Sequence, residues 1–220
     1  MMWRRSFSRP GAAGRRDGLL LAVDTIPDVF ATLGNVTGVI SYDFQSYEVV
    51  PNTSPAVTAG NLAKEVTTIP MAADRLRVAT YNVENLENGQ VTRYADLADQ
   101  IINRLGSPDV VALQELVTNN RAQDPAVTLA GLVAALNTPG RPQYAFAVLN
   151  EVSPDNGGVN DDRIVNGYIY RTDRVQLAAP VAYAPGSTTD PAFDDSRAPL
   201  VATFTFNGQQ VTVVNNHWAS

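Results

Sequence analysis

The sequence predicts an α+β fold in which two β-sheets pack face to face with helices outside them. Three observations lead there. Short β-branched, apolar runs recur (Arg77-Val-Ala-Thr-Tyr, Pro108-Asp-Val-Val-Ala-Leu, Ile164 to Tyr170, Val211-Thr-Val-Val), of the length and composition of buried strands. Between the first two runs, Tyr94, Leu97, Ala98, Ile101, Ile102 and Leu105 fall at helical spacing, which makes a β-α-β unit. Later strands are joined by turns, above all around Asn207-Gly208, a strong short hairpin signal. A helix-linked pair followed by hairpins implies mixed strand directions rather than a purely parallel sheet.

Taken in order, residues 1–17 are basic and read as a disordered or foreign leader. A secretory signal would follow its basic start with an apolar region of about 7–15 residues. Here Leu19 to Val23 is shorter and runs into Asp24. Residues 18–60 hold an alternating hairpin, Val36 to Val50, and a linker from Pro51 to Gly60. Two strands alone are marginal in water, so the hairpin leans on later parts of the chain or is the remnant of a small β domain. Residues 61–220 form the main domain, whose ordered part is expected to begin near Asp74.

In that domain the helix from Val91 to Leu105 turns Arg93, Asp96, Asp99 and Arg104 outward, and Gly106 and Pro108 stop it. A second helix is expected from Ala126 to Leu136, closed by Pro139-Gly140, and then a strand from Gln143 to Leu149. Asp155 to Asp162 is a polar loop, and Pro180 to Pro191 is mostly loop. The final hairpin pairs Leu200 to Phe206 with Gln210 to Asn216.

Hydrophobic residues make up 45% of the 220 and charged ones 17%, a balance that can bury a sizeable core. The formal net charge of -6 argues against coating nucleic acid by charge alone, a mode that needs phosphate-neutralising Lys and Arg. It leaves room for carboxylates that hold a cation which then meets a phosphate. The absence of cysteine excludes disulfides, thiolate metal sites and a cysteine nucleophile. No stretch approaches the roughly 20 apolar residues of a membrane helix.

Several strands end in residues that carry chemistry. In open α/β layers ligands collect beyond the carboxyl ends of strands, and Asn82 and Glu115 are expected there. Glu115 leaves a dry strand, where a charge needs a partner, and Mg²⁺ would supply one. Its bland reading is a carboxylate facing water. Asn82 and Asn85 are ordinary turn residues, or amides that donate to a phosphate without adding negative charge. His217 is the only histidine, either structural or a proton-transfer group. Asp161 and Asp162 are candidate carboxylate partners for it, with a solvated loop as the bland reading. Arg197 is a local salt-bridge partner or a phosphate clamp. No glycine-rich phosphate loop, Ser-His-Asp motif or zinc signature appears.

Five stretches in order resemble the endonuclease/exonuclease/phosphatase family: Arg77 to Leu86, Pro108 to Leu116, Gly167 to Val175, Ser196 to Pro199 and Val213 to Ser220. The Tyr-Asn-Val-Glu-Asn and Asn-His-Trp-Ala-Ser wording is similar to its bacterial extracellular nuclease branch. The resemblance implies a four-layer-type α/β sandwich of two packed mixed sheets flanked by helices. It implies a secreted, metal-dependent phosphodiesterase, most simply a non-specific DNA/RNA endonuclease. Glu115 would be the Mg²⁺ ligand (Mn²⁺ or Ca²⁺ as substitutes), with Asn82 in the phosphate and metal pocket and Asn85 beside the substrate. His217 would stabilise or protonate phosphoryl oxygens, Arg197 would contact the nucleic-acid backbone, and Asp162 would pair with the histidine. Same-fold phosphomonoesterases and phospholipases, and a non-catalytic phosphate- or partner-binding fragment, are the alternatives. The family's later Gly-Asp-x-Asn and Asp-His motifs do not occur in the sequence. The resemblance therefore implies the N-terminal part of such a domain, with weak or no hydrolysis by itself.

Overall fold

A computed structural model describes residues 29–43, 45–118, 124–149, 163–193 and 198–217. The leader at 1–17, the loop at 155–162 with Asp161 and Asp162, and Arg197 lie outside the described residues. The chain divides into two compact units, Met1–Lys64 and Glu65–Ser220.

In the first unit, β2 (Gly38–Asp43) and β3 (Ser46–Pro51) form the expected antiparallel hairpin. Its register sets Tyr42 opposite Tyr47, with ring centroids 4.8 Å apart. Gly38 is required there, because a Cβ would stand 2.0 Å from the Val50 carbonyl oxygen. The stretch read as linker carries a short strand instead. β1 (Thr32–Leu33) pairs with β4 (Val57–Thr58), whose β-branched residues suit extended backbone.

The second unit is built on a four-stranded sheet in the order β5-β6-β8-β7. Its strands are β5 (Val78–Leu86), β6 (Val110–Thr118), β7 (Tyr144–Val148) and β8 (Arg163–Arg171). β5 and β6 run parallel, and the other pairs are antiparallel. The crossover from β5 to β6 is α1 (Val91–Asp99), which continues as a π-helical turn over Gln100–Arg104. Gly106, at φ +68°, follows that turn and stops it. Asp124 caps α2 (Pro125–Leu136) by accepting from the Ala126 N–H at 2.8 Å, and Pro125 suits the first helical position.

A second sheet, antiparallel in all its described pairs, contains β9 (Gln176–Leu177), β10 (Ala182–Tyr183), β11 (Leu200–Phe206) and β12 (Gln209–Asn215). The β11–β12 turn has positive φ at both Asn207 (48°) and Gly208 (75°), the conformation that matches the twist of two-residue hairpins.

Alternation along the strands makes three layers. Val111, Leu113, Leu116 and Ile169 face α1 and α2, packing with Leu97, Ile101, Leu129 and Leu132. Val110, Ala112 and Tyr168 face the second sheet, packing with Leu200, Ala202 and Phe204. Tyr168 spans that seam: its hydroxyl lies 2.6 Å from the Leu200 carbonyl and 2.9 Å from that of Val213. Burial pushes its phenol well above the usual range, so the hydroxyl stays a donor. The α+β architecture of two packed sheets with helices outside is thus present, with its helices on the β5-β6-β8-β7 side among the described residues.

Gly167 sits mid-strand because α2 comes close. A Cβ there would lie 2.7 Å from Leu116 Cδ1 and 3.1 Å from Leu129 Cδ1, both fully buried. Gly167→Ala is expected to overpack this layer and cost about 1–3 kcal/mol, read as a lower urea midpoint. An unchanged midpoint would show that α2 can move aside.

Candidate functional site

Period-two alternation fails at one place on two neighbouring strands. On β6, Leu113 and Leu116 both face the helices although three positions apart. On β5, Val83 and Leu86 do the same. Leu113 pairs with Gly167 and Leu116 with Val165, so Gln114 and Glu115 together oppose Asn166 alone, which is a β-bulge. Across the other edge, Asn82 pairs with Gln114 and Leu86 with Leu116, so Val83, Glu84 and Asn85 bow around Glu115.

The backbone at this point is strained. Glu84 (φ 50°), Asn85 (φ 55°) and Glu115 (φ 67°) are all left-handed non-glycine residues. That conformation costs an L-residue roughly 1–2 kcal/mol and persists where surrounding bonds over-determine it. The bonds are present. Asn82 Nδ2 donates to Glu115 Oε1 at 2.7 Å, and the Asn85 N–H donates to Oε2 at 3.1 Å. Asn82 Oδ1 accepts from the Glu84 N–H at 2.8 Å, closing a local turn. From α1, Arg93 donates to the carbonyls of Val83 and Glu84. Helical spacing predicts an outward Arg93. It turns back because the bowed strand has carbonyls that its ladder no longer satisfies.

Asn82 and Glu115, expected at strand ends, lie instead within strands that run on to Leu86 and Thr118. The bulge displays them, not strand termination. His217 is two residues beyond β12, as its strand-end reading requires. It brings Nε2 to 3.4 Å from Glu115 Oε1, with the two side chains 17% and 19% exposed. The described carboxylate against the imidazole is therefore Glu115. Asn85 contributes its backbone N–H, which donates to Glu115.

Sequence reasoning missed the polar layer beneath. Asn215, fully buried, donates from Nδ2 to the carbonyls of Leu113 (2.8 Å) and Gly167 (3.1 Å). Its Oδ1 accepts from Gln114 Nε2 at 2.6 Å, and its carbonyl accepts from Asn166 Nδ2 at 2.9 Å. Gln114 Nε2 also lies 3.1 Å from Thr80 Oγ1. The visible signal was the broken spacing, Val83 to Leu86 and Leu113 to Leu116, which marks where both strands bulge.

Chemically, the site offers one oriented carboxylate, an imidazole and two amides at the edge of water. Among the described residues no three His, Cys, Asp or Glu gather into a cage for a metal. A lone carboxylate still fits Mg²⁺, which is commonly held by one or two carboxylates with waters and substrate phosphates completing the shell.

No protein-family model matches the chain, and no curated protein does. Among solved structures it is similar to the crystal structure of an endonuclease/exonuclease/phosphatase from Beutenbergia cavernae DSM 12333, at 22% identity and a TM-score of 0.38. The match covers 64% of this chain and 38% of that one.

Proposed function

We propose that this chain carries a catalytic site of a metal-dependent phosphodiesterase acting on DNA or RNA. The observation that supports it most is the convergence of Asn82 and Glu115, from two strands, and His217, from just beyond a third, on one strained and partly exposed point. The five motif stretches that resemble the endonuclease/exonuclease/phosphatase family support the same reading, and that resemblance also motivates an extracellular location.

In this reading Glu115 holds a divalent cation, Mg²⁺ by preference. A bound cation supplies charge neutralisation at phosphate oxygens. Asn82 and the Asn85 N–H fix the carboxylate so that little reorganisation accompanies binding. His217 Nε2 donates to a phosphoryl oxygen as negative charge builds there. Arg197, in the Ser196-to-Pro199 stretch, clamps the nucleic-acid backbone, and Asp162 assists the histidine; both roles come from the family resemblance.

Supercoiled-plasmid nicking with Mg²⁺ or Mn²⁺, beside an EDTA control, tests this. Cation-dependent nicking that falls about 100-fold or more in His217→Ala is expected. Turnover of phosphomonoesters or phospholipids with intact plasmid would move the assignment to a sister activity. Metal-independent DNA binding without cleavage of any phosphoester would leave a binding module.

A further inference from the structure

We infer that Asn215 is a positioning residue that sets the Glu115–His217 geometry; this inference rests on the functional reading above. The three hydrogen bonds of the Asn215 side chain, and the one its carbonyl accepts from Asn166, all go to residues at the bulge. Leu113 and Gly167, whose carbonyls take its two N–H bonds, are the last matched pair before the bulge. Gln114, which donates to its oxygen, is the first bulged residue and directly precedes Glu115. Asn166, which donates to its carbonyl, is the single residue opposite the bulge.

Asn215 is also the last residue of β12, two before His217. One amide therefore ties the bulge that displays the carboxylate to the strand that delivers the imidazole. A buried amide could simply staple the two sheets. Tyr168 already does so through Leu200 and Val213, and a staple has no reason to place every bond of its side-chain amide at one irregularity. The alternation of β12 adds a second point. Asn215 occupies an inward position where an apolar residue would pack, so burying an amide there is costly unless all its groups are paired, as they are. Because catalytic groups must be held to a fraction of an ångström, a shift of about 1 Å can lower turnover about 100-fold.

The single histidine makes the test clean. In the ¹⁵N-labelled full chain, the imidazole resonances of His217 are recorded at one pH for wild type, Asn215→Ala, Asn166→Ala, Glu115→Gln and Asp109→Asn. Asn215→Ala and Asn166→Ala are expected to move the ring signals toward those of Glu115→Gln. Asp109→Asn, which perturbs β6 from its far end, is expected to leave them in place. Nicking by Asn215→Ala should fall about 100-fold in kcat with KM little changed. Unmoved ring signals in both asparagine variants, or equal movement in Asp109→Asn, would overturn the inference. If Asn215→Ala does not fold, Asn166→Ala, which removes one bond, decides alone. Moved signals with no nicking by the wild type would retain the positioning role and remove the hydrolytic reading. Nicking with unmoved signals would do the reverse.

Discussion

Glu115→Ala is expected to lower cation-dependent nicking by about 10²–10³-fold, and Glu115→Gly to lower it equally. The two should differ in stability. Both remove the acceptor of Asn82 Nδ2 and of the Asn85 N–H, and both remove the partner of His217. Only glycine, however, accepts φ +67° without steric cost, so Glu115→Gly should be about 1 kcal/mol more stable than Glu115→Ala. Urea denaturation beside the nicking assay separates the two quantities. Equal stabilities would mean that the bulge relaxes once the carboxylate is gone, and that the strain is not imposed by the fold. Retained nicking in both variants would remove Glu115 from the chemistry.

The largest effect on stability is expected at the start of the same strand. Asp109 is completely buried just before β6. Its Oδ2 accepts from the Arg77 N–H at 2.8 Å and its Oδ1 from Arg174 Nε at 2.9 Å. Arg174 also donates to the carbonyls of Ala72 (2.7 Å) and Arg75 (3.0 Å), and its guanidinium stands 5.1 Å from the Phe206 ring centroid. Asp109→Ala leaves that cation without its counter-charge in a mostly buried place. Breaking a buried pair in this way costs about 3–5 kcal/mol. Asp109→Asn keeps an acceptor for Arg77 and should cost less. Thermal melting in both variants checks the order. If Asp109→Ala melts with the wild type, water reaches Arg174 and the pair is no structural anchor.

These two predictions concern the bulge inside β6 and the residue just before its start, and the sequence showed them unequally. Val110 to Leu113 was legible as a strand because it is a short, unbroken apolar run that opens on two β-branched valines, and the helix beside it was legible from its spacing. The reach of Arg174 across 65 positions to Asp109 was not, because nothing local marks it. Likewise Glu115, Asn82 and His217 stood out one by one, as polar residues leaving dry strands. Their meeting at one site followed from the family resemblance and not from any local signal.

The sequence by itself determined the elements and their pairing tendencies: the β-α-β unit, the Asn207-Gly208 hairpin, and the polar residues that no core would hold. Those depend on local sterics and on which side chains avoid water, and both can be read over a few residues. Only the tertiary structure decided that Glu115 sits in a bulge rather than at a strand end. Only it decided that Asn215 braces that bulge, and that the imidazole meets Glu115 from the second sheet. The physical reason is that a bulge is a compromise between two strands and their neighbours. Its cost in backbone strain is met by hydrogen bonds from residues such as Asn215, which lies about one hundred positions along the chain from Leu113 and Gln114.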